Sequence, residues 1–159
     1  MLEIKEAYQR LITAKEFKKK GFLCGAFLMA PFKEVDNSDW QIDFYDEKLD
    51  RMTSYLVSKE IKLVNEEGEV FKDENTKINE INLEELEFSF EEAYKKAKKE
   101  LKDKHETANK IIIVLQKSDV LFWNISFVTE TFNLINLRIS AKNGKILDEK
   151  TASLLSFEK

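Results

Sequence analysis

The sequence predicts an α+β fold of two tandem units, residues 1–77 and 78–159, each a helix packed on a three- or four-stranded antiparallel sheet. Three observations lead there. The chain reads as two copies of one pattern, each copy opens with the periodicity of an amphipathic helix, and each continues in apolar or alternating runs of strand length.

The repeat is clearest from Trp40 to Ser58 set above Trp123 to Ala141. Without a gap, Trp40 falls on Trp123, Ile42 on Ile125, Phe44 on Phe127 and Glu47 on Glu130, and Met52 and Leu56 fall on Ile135 and Ile139. Upstream, Glu6-Ala7-Tyr8 matches Glu92-Ala93-Tyr94; downstream, Gly68 matches Gly144. Trp to Gly spans 28 residues in the first copy and 21 in the second, so the first carries an insertion near Lys59 to Val64.

The elements follow in order. Ile4, Ala7, Tyr8, Leu11 and Ala14 recur at helical spacing, with Lys5, Glu6, Gln9 and Arg10 on the other side. An apolar run, Phe22 to Ala30, then suits a central strand. Trp40, Ile42 and Phe44 alternate with Gln41, Asp43 and Tyr45, the period of a half-buried strand. A third strand turns back at Glu66-Glu67-Gly68. In the second copy Phe90, Ala93, Tyr94, Ala97 and Leu101 line the helix, with Ser89 and Glu92 in capping-box spacing. Ile111 to Leu115, then Trp123, Ile125 and Phe127, repeat the strands, and Lys142-Asn143-Gly144 is a hairpin signal. Between the copies, residues 72–85 are polar and without period, a connector whose Ile78, Ile81 and Leu83 can dock on the fold.

The second copy, through Glu92, Ala93, Trp123, Ile125, Phe127, Gly144, Lys145 and Ile146, resembles PepSY-type domains. The first copy resembles them more weakly. The resemblance implies a cystatin-like fold in each unit, a sheet wrapped on one helix. It also implies inhibition or regulation of a partner such as a peptidase, with no catalytic residues.

Composition narrows the function classes. Four Gly and one Pro leave no material for a Gly-rich phosphate cradle, and one His excludes a zinc site built on several histidines. The single cysteine, Cys24, excludes an internal disulfide. Acidic residues outnumber basic ones 30 to 26, which argues against a nucleic-acid partner. The run GFLCGAFLMAPF, Gly21 to Phe32, is too short to span a bilayer, and Glu3, Glu6 and Glu16 precede it, unlike the short basic start of a signal peptide. It reads as a buried strand of a cytoplasmic protein with no membrane partner.

No constellation of catalytic residues, cofactor site or metal site emerges. Cys24 lies in the apolar run and His105 in a charged stretch, so nothing places a base beside the thiol. Asp46, Glu47 and Asp50 read as a solvated turn without calcium-loop spacing, and Glu66, Glu67, Asp73 and Glu74 form a second acidic stretch. Lys95, Lys96, Lys98, Lys99, Lys102 and Lys104 interleave with acids, as on a salt-bridged helix face. Both tryptophans alternate with Ile and Phe and read as core.

The gapless repeat turns Met52 and Leu56 inward and leaves Thr53, Tyr55 and Val57 outward, beside an outward Tyr45. Tyr45, Tyr55 and Val57 therefore form a candidate interface for a protein partner, a peptidase or a second copy of the chain. A non-catalytic interaction or inhibitor-like module is the expected function. The alternative is a small-molecule carrier with a cavity between helix and sheet, lined by Phe22, Phe27 and Phe32.

Overall fold

The computed structural model describes residues 1–70 and 76–157. Helix α1 (Ile4–Ile12) is followed by strands β1 (Phe22–Pro31), β2 (Trp40–Asp46), β3 (Arg51–Val57) and β4 (Ile61–Glu69). Helix α2 (Phe90–Asp103) is followed by β5 (Ala108–Lys117), β6 (Leu121–Thr129), β7 (Asn133–Ser140) and β8 (Ile146–Ser153). Short 3-10 turns cover Phe32–Asn37, Leu83–Glu85 and Leu154–Phe157.

The eight strands make one antiparallel sheet in the order β4-β3-β2-β1-β5-β6-β7-β8. This overturns the expectation of two separate helix-on-sheet units of three or four strands. Each run of four strands does follow its own helix. What joins them is β1 against β5, in register from Ala26 opposite Leu115 to Pro31 opposite Lys110. The physical reason lies in those two strands. Both are apolar on both faces, and each is an edge of its own four strands, where a bare row of backbone donors and acceptors would face water. Pairing the two edges removes both at once.

Cross-strand pairs share a face, so the register assigns every side chain. Ala26, Leu28 and Ala30 of β1, Ile111, Ile113 and Leu115 of β5, Trp40, Ile42 and Phe44 of β2, and Trp123, Ile125 and Phe127 of β6 lie on one face with both helices. There Ala7 and Ala93, fully buried, let α1 and α2 approach the sheet closely. The two helices are anchored in the same way. Trp40 Nε1–H donates to the Leu2 carbonyl at 3.0 Å and Trp123 Nε1–H to the Phe88 carbonyl at 2.9 Å, each acceptor two residues before its helix. The indole rings are 5.9 Å apart and Phe90 packs against both. Ser89 and Glu92 close the predicted capping box of α2. Of the connector, Lys72 to Asn75 lies outside the described residues; Ile81 is buried and Leu83 packs on the core as expected, whereas Ile78 is half-buried and stands outside the core cluster.

Two features of the predicted repeat are corrected. Glu66-Glu67-Gly68 is not a turn but part of β4, and the chain reverses instead at Ser58–Glu60, where Ser58 N–H donates to the Glu60 carbonyl at 3.1 Å. Lys142-Asn143-Gly144 is the turn between β7 and β8, so Gly68 and Gly144 are not equivalent. The hairpins after the Trp strands also differ in length. Tyr45 pairs with Met52 across six residues, whereas Val128 pairs with Leu134 across five. That single extra residue invalidates the gapless alignment beyond Asp46. It is Val57, not Leu56, that lies opposite Trp40 as Ile139 lies opposite Trp123.

Candidate functional site

The one-residue shift reverses every side chain of β3, because strand side chains alternate with period two. Tyr55 and Val57 therefore face the helix, each 1% exposed, and do not form an outward patch. The Tyr55 hydroxyl accepts from Lys18 N–H at 3.1 Å and donates to the Lys18 carbonyl at 3.2 Å, while its ring packs on Phe17 and Phe44. Thr53, also expected outward, is buried, and its hydroxyl accepts from Glu67 N–H. Tyr45 does point away from the helices, but it is only 4% exposed, set edge-on against Phe22 with its hydroxyl bonded to the Asp50 carboxylate.

The side chains that replace them come from the middle of the sheet. Both α-helices lie on one face, and among the described residues the opposite face carries no α-helix. Across its centre the register strings together Leu56, Gln41, Phe27, Val114, Asn124 and Arg138, one from each of six adjacent strands. Phe27 and Val114 pair directly, with Gln41 beside the first and Asn124 beside the second, so the two halves meet symmetrically at this point. Met29, opposite Ile112, extends the apolar stripe and is 53% exposed.

The flanks of the stripe differ. On the β7 side an amide ladder covers the backbone: Asn124 Nδ2 donates to Gln116 Oε1 at 2.9 Å and Asn136 Nδ2 to Ser126 Oγ at 2.8 Å. The Arg138 guanidinium lies 5.5 Å from the centre of the Phe122 ring. On the β3 side sits one carboxylate, Asp43. Gln41 Nε2 donates to its Oδ1 at 3.0 Å and the Ser54 hydroxyl bonds to it as well. Burial pushes the Asp43 carboxyl above the usual carboxylate range, and those two hydrogen bonds only partly offset the effect. Its neighbour across the β1–β2 ladder is Gly25, which presents no side chain.

The remaining candidates resolve into structural roles. Cys24 sits where the β1–β2 register shifts, its Sγ 3.4 Å from the Asp43 carbonyl oxygen, and burial together with the Asp43 charge pushes its thiol up to about 12. Such a thiol is a poor nucleophile. His105 ends α2 with φ 56°; its N–H donates to the Lys102 carbonyl and Glu106 N–H to the Leu101 carbonyl, a Schellman stop. Asp46 Oδ1 accepts from Lys48 N–H and Leu49 N–H, holding the hairpin turn. Glu66 and Glu67 pair with Lys20; Asp73 and Glu74 lie outside the described residues. Among the described residues no three His, Cys, Asp or Glu side chains converge as metal ligands. Of the α2 lysines, Lys98 lies over the Tyr94 ring and Lys104 pairs with Glu149. Between α1 and the sheet, a cavity lined by Ile4, Tyr8, Leu23, Ile42, Ile81 and Leu115 among others measures about 10 Å³. Phe22 and Phe27 lie on the face away from α1, and Phe32 packs against Tyr94 and Phe127.

Neither a family model nor a curated protein matches the chain. A solved structure from Clostridium difficile 630, described as a "putative lipoprotein", shares the fold at a TM-score of 0.53 and 14% identity over 84% of each chain. Among the described residues no helix is long and apolar enough to cross a membrane.

The stripe was hard to find in the sequence because the apolar run of β1 has no polar face. Phe27 and Met29 were read simply as buried. The signal present in the sequence is that two such runs occur, each with bulky residues at every second position on both faces.

Proposed function

We propose that this protein is a non-catalytic protein-interaction module that works, inhibitor-like, by laying its helix-free sheet face on a partner. The observation that carries the proposal is the stripe Leu56–Phe27–Val114 with Met29 and Ile112, apolar side chains in the middle of a face without a helix. A sheet that buries one face and leaves aliphatic and aromatic groups across the centre of the other has the composition of an interface core ringed by polar groups. Regulation of a peptidase is the form that the PepSY-type resemblance gives this proposal. The carrier alternative has less support: the apolar space under α1 measures about 10 Å³, room for at most one water, and the clefts of about 500, 390 and 470 Å³ elsewhere are lined mainly by charged and polar side chains such as Lys5, Glu80, Glu91, Lys98, Glu85 and Lys117.

The proposed location is the cytoplasm. The structural neighbour is described as a lipoprotein, yet Cys24 of this chain lies inside β1, behind a helix whose Ile4, Ala7 and Leu11 are part of the core. Cleavage before Cys24 would remove that helix, so Cys24 does not serve as a lipid-bearing terminus.

Affinity capture with the wild-type protein and with Val114→Glu tests the proposal. A recurrent protein partner, lost on Val114→Glu while the variant melts as the wild type does, is the expected outcome. A partner retained in full by Val114→Glu, or none in repeated captures, counts against it.

A further inference from the structure

We infer that the helix-free face docks a protein segment that presents an arginine or lysine side chain to Asp43, with apolar neighbours of that cation lying on Phe27 and Leu56. This rests on the proposed function and adds the chemistry of the partner. Asp43 is the one carboxylate that β2 turns toward the middle of this face, and it is bound by a neutral amide and a neutral hydroxyl. Among the described residues no Lys or Arg pairs with it. Carboxylates withdrawn from water are ordinarily compensated by a cation, and here none is supplied from within the sheet.

Beside Asp43 on β1 stands Gly25, where an added Cβ would meet only the Leu115 carbonyl oxygen at 3.5 Å and Asp43 Oδ2 at 3.7 Å. These are ordinary contact distances, and the φ of Gly25 lies outside the left-handed region, so neither crowding nor backbone conformation demands glycine. Gly25 is buried, with the Asp43 carboxylate lying against it, and the outward apolar side chains nearest the carboxylate are Phe27 in the next outward position of β1 and Leu56 two residues along β3 from Ser54. An acid flanked by apolar side chains suits the head and methylene stem of a long basic side chain. The equivalent place in the second half holds Ser126, so the face has one such acid and a defined polarity.

The test is selection from a random twelve-residue peptide library displayed on phage, panned on the full-length protein. Enriched sequences should carry Arg or Lys flanked by apolar residues. Their synthetic peptides should lose about thirtyfold or more in affinity on Asp43→Asn, the scale for breaking a desolvated charge pair. Gly25→Val, which sets a branched side chain against the Asp43 carboxylate and keeps the charge, should lose binding comparably, and both variants are checked by thermal melting. Enrichment without basic residues, no enrichment at all, or basic peptides that bind Asp43→Asn as tightly as wild type overturns the inference. Val114→Glu separates the two levels. Peptides lost on Val114→Glu but indifferent to Asp43→Asn remove the cation site and keep the docking face, whereas peptides indifferent to both remove the face as well.

Discussion

Tyr55 and Asp43 were both expected to face away from the helices, and the structure separates them. Tyr55→Glu would place a carboxylate among Phe17 and Phe44, where Tyr55 is 1% exposed and both polar groups of Lys18 depend on its hydroxyl. Burial of an unpaired charge in a core site exceeds about 4 kcal/mol, so the variant is expected to be largely unfolded by circular dichroism. Asp43 gives a subtler signature. Its folded-state value lies above the ordinary 3.8, so the folded chain holds this proton more tightly than the unfolded one. Stability from this group is therefore full at low pH and is lost as pH rises from the unfolded value through the raised folded one. Asp43→Asn should abolish that loss. In urea titrations, the stability of Asp43→Asn relative to wild type should rise with pH above about 4 and level off once Asp43 is ionised in both states.

At the scale of elements, the two helices are built alike and capped differently. Ser89 accepts from Glu92 N–H at 3.2 Å and closes a capping box, whereas Glu3, the equivalent residue before α1, makes no side-chain cap. Glu6 stands three residues on, as Glu92 does from Ser89. Glu3→Ser should complete the same motif and stabilise the protein by about 0.5–1 kcal/mol in chemical denaturation, with no change at the sheet face. Elements of this kind were well legible in the sequence. The periodicity of Ile4, Ala7 and Leu11, the Ser89–Glu92 spacing and the alternation after each tryptophan all have direct counterparts in α1, α2, β2 and β6. The orientation of β3 was not legible, because it depends on one added residue in a hairpin that has no composition signal. Asp50 with φ 51° and Phe132 with φ 62° occupy left-handed positions in these two turns, and neither is the glycine that would have marked them.

For the whole molecule, the decisive contact is a pairing between strands separated by some eighty residues of chain, which local patterns do not encode. Both central runs looked suitable for a sheet interior, but nothing in either named the other as its neighbour. With β1 and β5 paired, the helices share one core in which Trp40, Phe90 and Trp123 touch. The two halves should therefore unfold together. Ile113→Ala, at a fully buried position opposite Leu28, is expected to cost about 2–5 kcal/mol, and fluorescence and circular dichroism should follow one coincident transition. The outer edges are guarded differently from the seam. β4 is irregular in register and carries Lys62, Glu66, Glu67 and Glu69, and β8 carries Asp148, Glu149 and Lys150, features that discourage strand addition at either edge.

The symmetric meeting of Phe27 and Val114 makes the connector a tether. Each half resembles a subunit whose partner is supplied at high effective concentration by the same chain. If the chain is divided between Lys77 and Ile78, the first fragment exposes β1 and the second exposes β5, each the missing edge of the other. The two fragments should reassemble when mixed, to an extent that depends on their concentration as the intact chain's folding does not. Alone, either fragment should self-associate through the bared strand, because a second copy of the same apolar edge is the nearest substitute for the one it has lost.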